Sequence, residues 1–246
     1  NLERTLQKIT KSGLTLNLEK SKVGVTKVKF LGHNISARGI EIDDSKIKAI
    51  SEMKPPTNQK DLQRFLGMIV YLSKYIPNLS TETALLRKLL SNKVEWQWSS
   101  NEQLSFDRLK QLVTSSPILR YFDPNIDIVL SVDASPFGIG AVIMQKGHPI
   151  EYASVSLTPT QQRYNHIDKE LLALVFGCEH FHYYLFGRKF QLETDHRPLI
   201  GLLKKPLDEM SPRIQRLAHR LLRYTYDLKY VPGKNQQVSD TLSRDP

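Results

Sequence analysis

The chain has 246 residues, of which 40% are hydrophobic, and a formal net charge of +10. Its apolar runs fall short of the ~20 residues that a membrane-spanning helix needs. Charges throughout residues 1–20 are not typical of a signal peptide, so none is expected there. A single cysteine, Cys178, excludes an internal disulfide. Together these features predict an intracellular protein that is neither secreted nor held in a membrane.

The basic excess lies mostly in the N-terminal half. Residues 1–116 hold 19 Lys/Arg against 11 Asp/Glu, whereas residues 117–246 hold 16 against 14. An excess of this size suits a polyanionic partner such as nucleic acid. On charge alone, the alternative is a basic protein without such a partner.

Residues 1–44 predict a helix followed by short strands. Apolar residues at helical spacing cover residues 1–12, and Gly13 is a stop signal. Residues 23–42 alternate between β-branched or aromatic residues and turn residues, which predicts a β-hairpin. Asp43 and Asp44 then favour the first turn of a helix.

Residues 45–116 predict a small helical domain. The Pro-Pro pair at 55–56 breaks the chain before a long amphipathic pattern. A capping box from Ser100 to Gln103 predicts that the last helix begins there and runs to about residue 115. The residues of this helix that are expected to face inward are Leu104, Leu109 and Leu112.

A predicted hairpin opens the C-terminal half. The run IDIVLSVD over residues 126–133 has a period close to two, which predicts a strand ending at Asp133. A Ser-Pro-Phe-Gly turn and the second strand, GIGAVIMQ, follow at once. An aspartate at a strand end is usually a turn or cap residue, so only its neighbours in space could give Asp133 another role.

A third strand and a long helix come next. Thr158, Pro159 and Gln161 form a capping box with proline at the first helical position, and we expect this helix to run to about residue 186. Glu170 lies in it beside the apolar face. A glutamate there is ordinarily solvated or paired.

The following strand, KFQLETD, ends at Asp195. Because it comes after a helix, it can pair in parallel with the Asp133 strand through a right-handed crossover. Sites in α/β sheets form beyond the carboxyl ends of strands. We therefore expect Asp133 and Asp195 to meet at one sheet edge, with Glu170 brought there by its helix. A last strand bears Tyr230, and a short helix after it bears Asp240.

These motifs carry a family resemblance. FLGHNIS and PPTNQKDLQRFLGMIVYLSKYIPNLS resemble the end of the palm and the thumb of gypsy-type long-terminal-repeat retrotransposon reverse transcriptases. DASPFGIGAVIMQ, TDHRPL and YVPGKNQQVSDTLSR resemble the RNase H domain of the same polyproteins. The resemblance implies an α/β fold: an RNase H-like mixed sheet with flanking helices over residues 117–246. Before it would come a helical thumb-like or connection-like domain at 45–116 and a β-hairpin remnant of the palm at 1–44.

The resemblance also implies a reaction. Asp133, Glu170, Asp195 and Asp240 match the four metal-ligand positions of the family. Hard oxygen ligands select Mg²⁺ over zinc, with Mn²⁺ as the alternative, and two such ions can clamp a phosphodiester. The expected substrate is an RNA–DNA hybrid whose RNA strand is hydrolysed. The expected location is a cytoplasmic virus-like particle or the nucleus.

One departure concerns polymerisation. The family's palm motif, an aromatic residue, any residue and two aspartates, should precede FLGH, and residues 1–29 do not supply it. Asp43-Asp44 follows the hairpin and is better explained as a helix cap. We therefore expect no primer extension by this chain alone, and a partner that supplies the fingers and palm, or another reverse transcriptase subunit, is implied.

An arginine stripe is predicted from spacing alone. Arg213, Arg216, Arg220 and Arg223 recur at helical spacing without an intervening acid. They are predicted to bind phosphates of the nucleic acid, with a solvated face and a structural role as alternatives. Tyr230 is a weaker candidate for nucleic-acid contact, the alternative being a half-buried strand aromatic.

The rival function is a non-catalytic nucleic-acid-binding remnant or supporting subunit. A remnant under no constraint is expected to have lost one of the four acids, and all four are present. The seven histidines show no metal-ligand pattern. No histidine follows His219, so the histidine that assists product release in many cellular ribonucleases H has no counterpart in that region.

Overall fold

The computed structural model describes residues 1–17 and 19–233. Its N-terminal part begins with helix α1 (Leu2–Lys11). The predicted hairpin is a three-stranded antiparallel sheet of β1 (Lys27–Phe30), β2 (His33–Ser36) and β3 (Gly39–Ile42). Strand β3 therefore adds a third strand to the predicted pair.

Five helices follow the small sheet. They are α2 (Asp44–Ser51), α3 (Gln59–Tyr71), α4 (Leu79–Glu82), α5 (Ala84–Lys88) and α6 (Ser100–Thr114), with a 3₁₀ turn at Ser73–Tyr75. Asp43 caps α2, since its side chain accepts a hydrogen bond from the Ser45 N–H. This cap confirms the interpretation of the Asp43-Asp44 pair.

Two predictions about α6 were wrong. Its capping box is formed by Ser99 and Glu102, one residue earlier than predicted, because the Glu102 carboxylate reaches back to the Ser99 N–H. Leu104 is 68% exposed, whereas Leu109 and Leu112 are buried as expected. Leu104 is five residues before Leu109, so at 3.6 residues per turn the two side chains lie on different faces of α6.

The C-terminal part contains a five-stranded mixed sheet. Its strands are β4 (Val129–Ala134), β5 (Gly138–Gln145), β6 (His148–Ser156), β7 (Lys189–Thr194) and β8 (Thr225–Tyr230), in the order β6-β5-β4-β7-β8. Strands β4, β5 and β6 pair antiparallel, whereas β7 pairs in parallel with both β4 and β8. The predicted α/β class with a mixed sheet is confirmed.

Five helices flank this sheet. They are α7 (Pro159–Gln162), α8 (His166–His180), α9 (His182–Leu185), α10 (Pro198–Leu202) and α11 (Pro212–Leu221). The single helix predicted from Thr158 to about residue 186 is thus three helices. The Thr158 capping box is present, but the helix that it starts is one turn long, and α8 begins afresh after Asn165.

The five-stranded sheet separates two hydrophobic cores. One face packs against α8 and α11, and its core includes Leu130, Val132, Leu174 and Leu217. The other face contributes residues of β5 and β6 to the core of the N-terminal helices. These shared residues are Val142, Met144 and Tyr152. The helical segment therefore packs directly on the sheet, while the domain division at residues 44 and 116 stays a prediction.

Helix α4 and its N-cap residue Asn78 pack closely against the sheet. A Cβ added to Gly140 in β5 would lie 1.6 Å from Asn78 Oδ1, so only glycine leaves room for Asn78. Thr81 on α4 shares a 2.7 Å hydrogen bond with Ser135, in the turn that follows β4. Among the described residues, no helix combines the length and apolar character needed to cross a membrane.

Candidate active site

Three acidic side chains meet at one edge of the five-stranded sheet. Asp133 is the fifth residue of β4, Asp195 directly follows β7, and Glu170 lies in the second turn of α8. One carboxylate oxygen from each lies within 4.8 Å of the others. The parallel pairing of β4 with β7 places both aspartates at the same edge, as the sequence predicted.

Helix α8 delivers Glu170 because it lies close to β4. A Cβ added to Gly177 would lie 2.7 Å from Val132 Cγ1, so the absence of a side chain at Gly177 permits this approach. Val132 directly precedes Asp133 in the strand. The contact that packs the helix therefore also fixes the distance from Glu170 to Asp133.

Glu170 and Asp133 are in an unfavourable environment for negative charge. Burial, and then the charges of Asp195 and Asp133, raise the pKa of Glu170 to about 8. Burial, followed by the charge of Asp195, also raises the pKa of Asp133. Glu170 is 1% exposed, and its Oε2 has no hydrogen-bond partner among the described residues. A buried carboxylate without a partner is costly, which is the condition that a bound cation relieves.

The donor set fits a divalent metal ion. All three side chains offer carboxylate oxygens, which are the ligands that hard cations such as Mg²⁺ and Mn²⁺ prefer. Glu170 Oε2 supplies a structural reason for a bound cation, because this buried oxygen has no hydrogen-bond partner among the described residues. Asp133, Glu170 and Asp195 are thus the residues that would hold such an ion.

Two histidines border these acids, and the sequence analysis missed both. His166 Nδ1 lies 3.6 Å from Glu170 Oε1, and the His166 and His196 rings stack with centroids 4.7 Å apart. His196 directly follows Asp195. The available signal was spacing, since His166 precedes Glu170 by four residues and therefore shares its helix face.

The remaining predicted site residues lie at the C-terminal end. Asp240 falls outside the described residues. Tyr230 ends β8 opposite Thr194 of β7 and is 41% exposed. Gly233, the last described residue, approaches the site, since a Cβ added there would lie 3.1 Å from Asp195 Oδ2. The nucleic-acid contact of Tyr230 and the metal role of Asp240 stay predictions.

The arginine stripe is largely engaged within the chain. Arg213 Nη1 donates to Asp168 Oδ2 at 2.8 Å, and its guanidinium lies 3.9 Å above the Tyr164 ring. Arg220 binds the Glu179 carboxylate through Nε at 2.9 Å and Nη2 at 2.5 Å. Both acids belong to α8, so these contacts fasten α11 to the helix that carries Glu170.

The other two arginines differ from this pair. Arg223 lies beyond the end of α11 and is 3.9 Å from Glu179 Oε1. Arg216 is exposed, and its Nε donates to the Pro212 carbonyl oxygen. Phosphate binding by Arg213, Arg216, Arg220 and Arg223 stays a prediction, and Arg216 is the member without an acidic partner among the described residues.

Known proteins resemble this chain in sequence. The family described as "RNase H-like domain found in reverse transcriptase" matches residues 98–192. Over 99% of its length, the chain is 34% identical to the transposon Tf2-3 polyprotein of Schizosaccharomyces pombe, and equally to the Tf2-4 polyprotein. The chain spans 19% of the length of these relatives.

Solved structures share the fold. A foamy viral protease–reverse transcriptase in complex with RNA/DNA hybrid has a TM-score of 0.79 at 23% identity, with 100% of this chain and 35% of that chain covered. A foamy viral protease–reverse transcriptase dRH in complex with double-stranded DNA has the same TM-score at 22% identity. That match covers 94% of this chain and 42% of the other. At this identity the similarity establishes the fold.

Proposed function

Because the chain belongs to the reverse transcriptase and RNase H part of long-terminal-repeat retrotransposon polyproteins, we propose that it hydrolyses the RNA strand of RNA–DNA hybrids with Mg²⁺. The observation that carries this proposal is the convergence of Asp133, Glu170 and Asp195 within 4.8 Å. The buried Glu170 Oε2, which has no hydrogen-bond partner in the described part of the chain, supports a cation at this point.

Each carboxylate has a proposed role. Asp133, Glu170 and Asp195 would hold the ions of a two-metal site; by the family resemblance, Asp133 would serve both ion positions, and Glu170 and Asp195 would complete one of them. Bound there, the ions supply an activated water and neutralise the charge that develops on the phosphodiester. The raised pKa of Glu170 means that a cation must displace a proton from this carboxyl at neutral pH.

Asp240 is proposed as the fourth ligand. This proposal rests on the family resemblance and on the position of Gly233, which lies against Asp195. Asp240 follows Gly233 by seven residues in the sequence. Mn²⁺ is proposed as a substitute for Mg²⁺, since both accept oxygen ligands.

The hybrid is the proposed nucleic-acid partner. The formal net charge of +10 favours polyanion binding in general. One structural relative was solved with RNA/DNA hybrid and another with double-stranded DNA, so duplexes of both kinds are reasonable ligands to test. Primer extension is not proposed, because the family's palm motif is absent from residues 1–29.

The direct test is a cleavage assay with the purified chain. A hybrid labelled separately on its RNA and DNA strands is incubated with Mg²⁺, with Mn²⁺ and with excess chelator. We expect the RNA strand alone to be cut, and only when a divalent ion is present. Hybrid binding without cleavage under every metal condition would instead support the non-catalytic nucleic-acid-binding alternative.

A further inference from the structure

His166 and Glu170 form a pair across one turn of α8. Residues four apart lie on the same face of a helix, and His166 Nδ1 is 3.6 Å from Glu170 Oε1. The Glu170 side chain is 1% exposed, whereas that of His166 is 68% exposed. The carboxylate therefore forms the floor of the site and the imidazole stands at its mouth.

The separation of these two atoms matches a shared ion better than a hydrogen bond. A distance of 3.6 Å exceeds the usual 2.7–3.2 Å of an N–H···O bond. Two ligand atoms bound at about 2.0–2.1 Å to one tetrahedral ion lie roughly 3.3–3.4 Å apart. A movement of a few tenths of an ångström would therefore bring both atoms onto one metal ion.

His196 holds the His166 ring at the site. Their planes are inclined by 24° and their centroids are 4.7 Å apart. His196 is itself anchored, because it follows Asp195 and its backbone N–H donates to Thr194 Oγ1 at 3.1 Å. The stacked His196 ring therefore restricts the positions open to the His166 ring.

We propose that His166 supplies a nitrogen ligand to a divalent transition-metal ion that it shares with Glu170. This inference rests on the proposed metal site and extends the ions that the site accepts. An imidazole beside carboxylates raises the affinity for Co²⁺ and Zn²⁺ far more than for Mg²⁺, which prefers oxygen and retains its water. Zn²⁺ held in this way occupies the position of the catalytic ions and inhibits hydrolysis.

The test uses Co²⁺ as a spectroscopic probe and Zn²⁺ as its competitor. The full chain is compared with His166→Gln and with the control His148→Gln, which changes an exposed histidine at the opposite end of the β5–β6 pair from Gly140. We expect parent and control to give the same visible Co²⁺ absorption. His166→Gln should shift the band and weaken Co²⁺ and Zn²⁺ binding about tenfold or more. Mg²⁺ affinity should change less than about twofold, since Mg²⁺ does not use the nitrogen.

Two outcomes separate this inference from the proposed function. If His166→Gln binds Co²⁺ with the parent's spectrum and affinity while Glu170→Gln loses binding, the site is made of oxygen ligands and the inference is overturned. If the parent binds neither Co²⁺ nor Mg²⁺, the metal site itself is wrong and the proposed function falls with it. Melting temperatures of all variants verify that they are folded, which is expected because His166 is exposed.

Discussion

Helix α8 carries two kinds of acidic residue, and their environments are opposite. Asp168 and Glu179 accept hydrogen bonds from arginines of α11, and those bonds lower the pKa of Glu179. Glu170 lies between them in the sequence, and its pKa is raised to about 8. Its Oε2 has no hydrogen-bond partner within residues 1–17 and 19–233. The ion pairs form a seam between α8 and α11, whereas Glu170 faces the sheet edge.

These opposite environments show where the chain retains uncompensated charge. A satisfied acid stabilises the contact of two helices, and its charge is then unavailable to a ligand. An unsatisfied buried acid costs stability and is expected only where function requires it. Asp168 and Glu179, which are two and nine residues from Glu170 on α8, thus have a different role from Glu170.

The largest predicted effect removes an acid from the site. Asp133→Asn should reduce hybrid cleavage by at least about a hundredfold, because losing one charge weakens the electrostatic stabilisation of the transition state. Hybrid affinity should change little, since Asp133→Asn leaves the contacts with the phosphate backbone of the hybrid in place. The matched control is Asp127→Asn, an exposed aspartate before β4. Asp133→Asn activity within tenfold of the parent would remove this acid from the proposed site.

A second prediction uses pH to separate the two kinds of acid. In the folded chain Glu170 stays protonated up to about pH 8, whereas in the unfolded chain it ionises near its ordinary pKa of 4.5. The metal-free parent should therefore lose stability as pH rises between these values, by up to a few kcal/mol at about 1.4 kcal/mol per pKa unit. Glu170→Gln removes that loss and should be more stable than the parent at pH 8.

The control for this experiment is Glu179→Gln. The pKa of Glu179 is lowered by Arg220, so its stabilising contribution is present above its unfolded pKa and is lost as pH falls. Glu179→Gln should therefore be less stable than the parent at pH 8, opposite in sign to Glu170→Gln. Denaturant midpoints at pH 5 and 8 in chelator measure both. If both variants were more stable than the parent at pH 8, or both less stable, the proposed difference between Glu170 and Glu179 would be wrong.

A third prediction concerns a substitution in β5, next to Asp133 but away from the ion pairs between α8 and α11. Gly140 pairs with Asp133 in the sheet, and an alanine there would collide with Asn78. Gly140→Ala should destabilise the chain by about 1–3 kcal/mol, the usual cost of overpacking, and should lower cleavage. Gly67→Ala is the control, because a Cβ at that helical position meets nothing within 4 Å and should stabilise by up to about 1 kcal/mol. Thermal unfolding of both variants supplies the measurement.

The smallest predicted effects concern individual arginines. Arg216→Gln should flatten the slope of log affinity for hybrid against log salt by about one unit and leave the melting temperature unchanged, since it removes one phosphate contact. Arg220→Gln should instead cost less than about 1 kcal/mol of stability, because its ion pair with Glu179 is partly exposed. An unchanged salt slope for Arg216→Gln would make that side of α11 a solvated face.

The sequence predicted the sheet edge well because that edge follows from local patterns. The strands that end near Asp133 and at Asp195 have period-two or apolar runs, and the helix between them imposes parallel pairing. The seam could not be predicted in the same way. Arg220 meets Glu179 from 41 residues away, so the spacing of the arginines alone did not reveal their partners.

Helix ends and the histidines were missed for different physical reasons. The capping box at Thr158 was correctly identified, but its helix stops after one turn because α8 begins independently after Asn165. The stacking of His166 on His196 joins a helix to a loop beyond β7, a contact that sequence spacing does not encode.

A calorimetric titration of the metal-free chain with Mn²⁺ at pH 7 tests directly whether Glu170 holds a metal ion. The titration is repeated in buffers of different ionisation enthalpy, so that the number of protons released can be measured. A pKa of about 8 for Glu170 predicts that the parent releases close to one proton as the metal binds. Glu170→Gln should bind Mn²⁺ at least about tenfold more weakly and release almost no protons. Binding of Mn²⁺ to Glu170→Gln with the affinity and proton release of the parent would contradict the claim that the buried Glu170 carboxylate is retained to hold a metal ion.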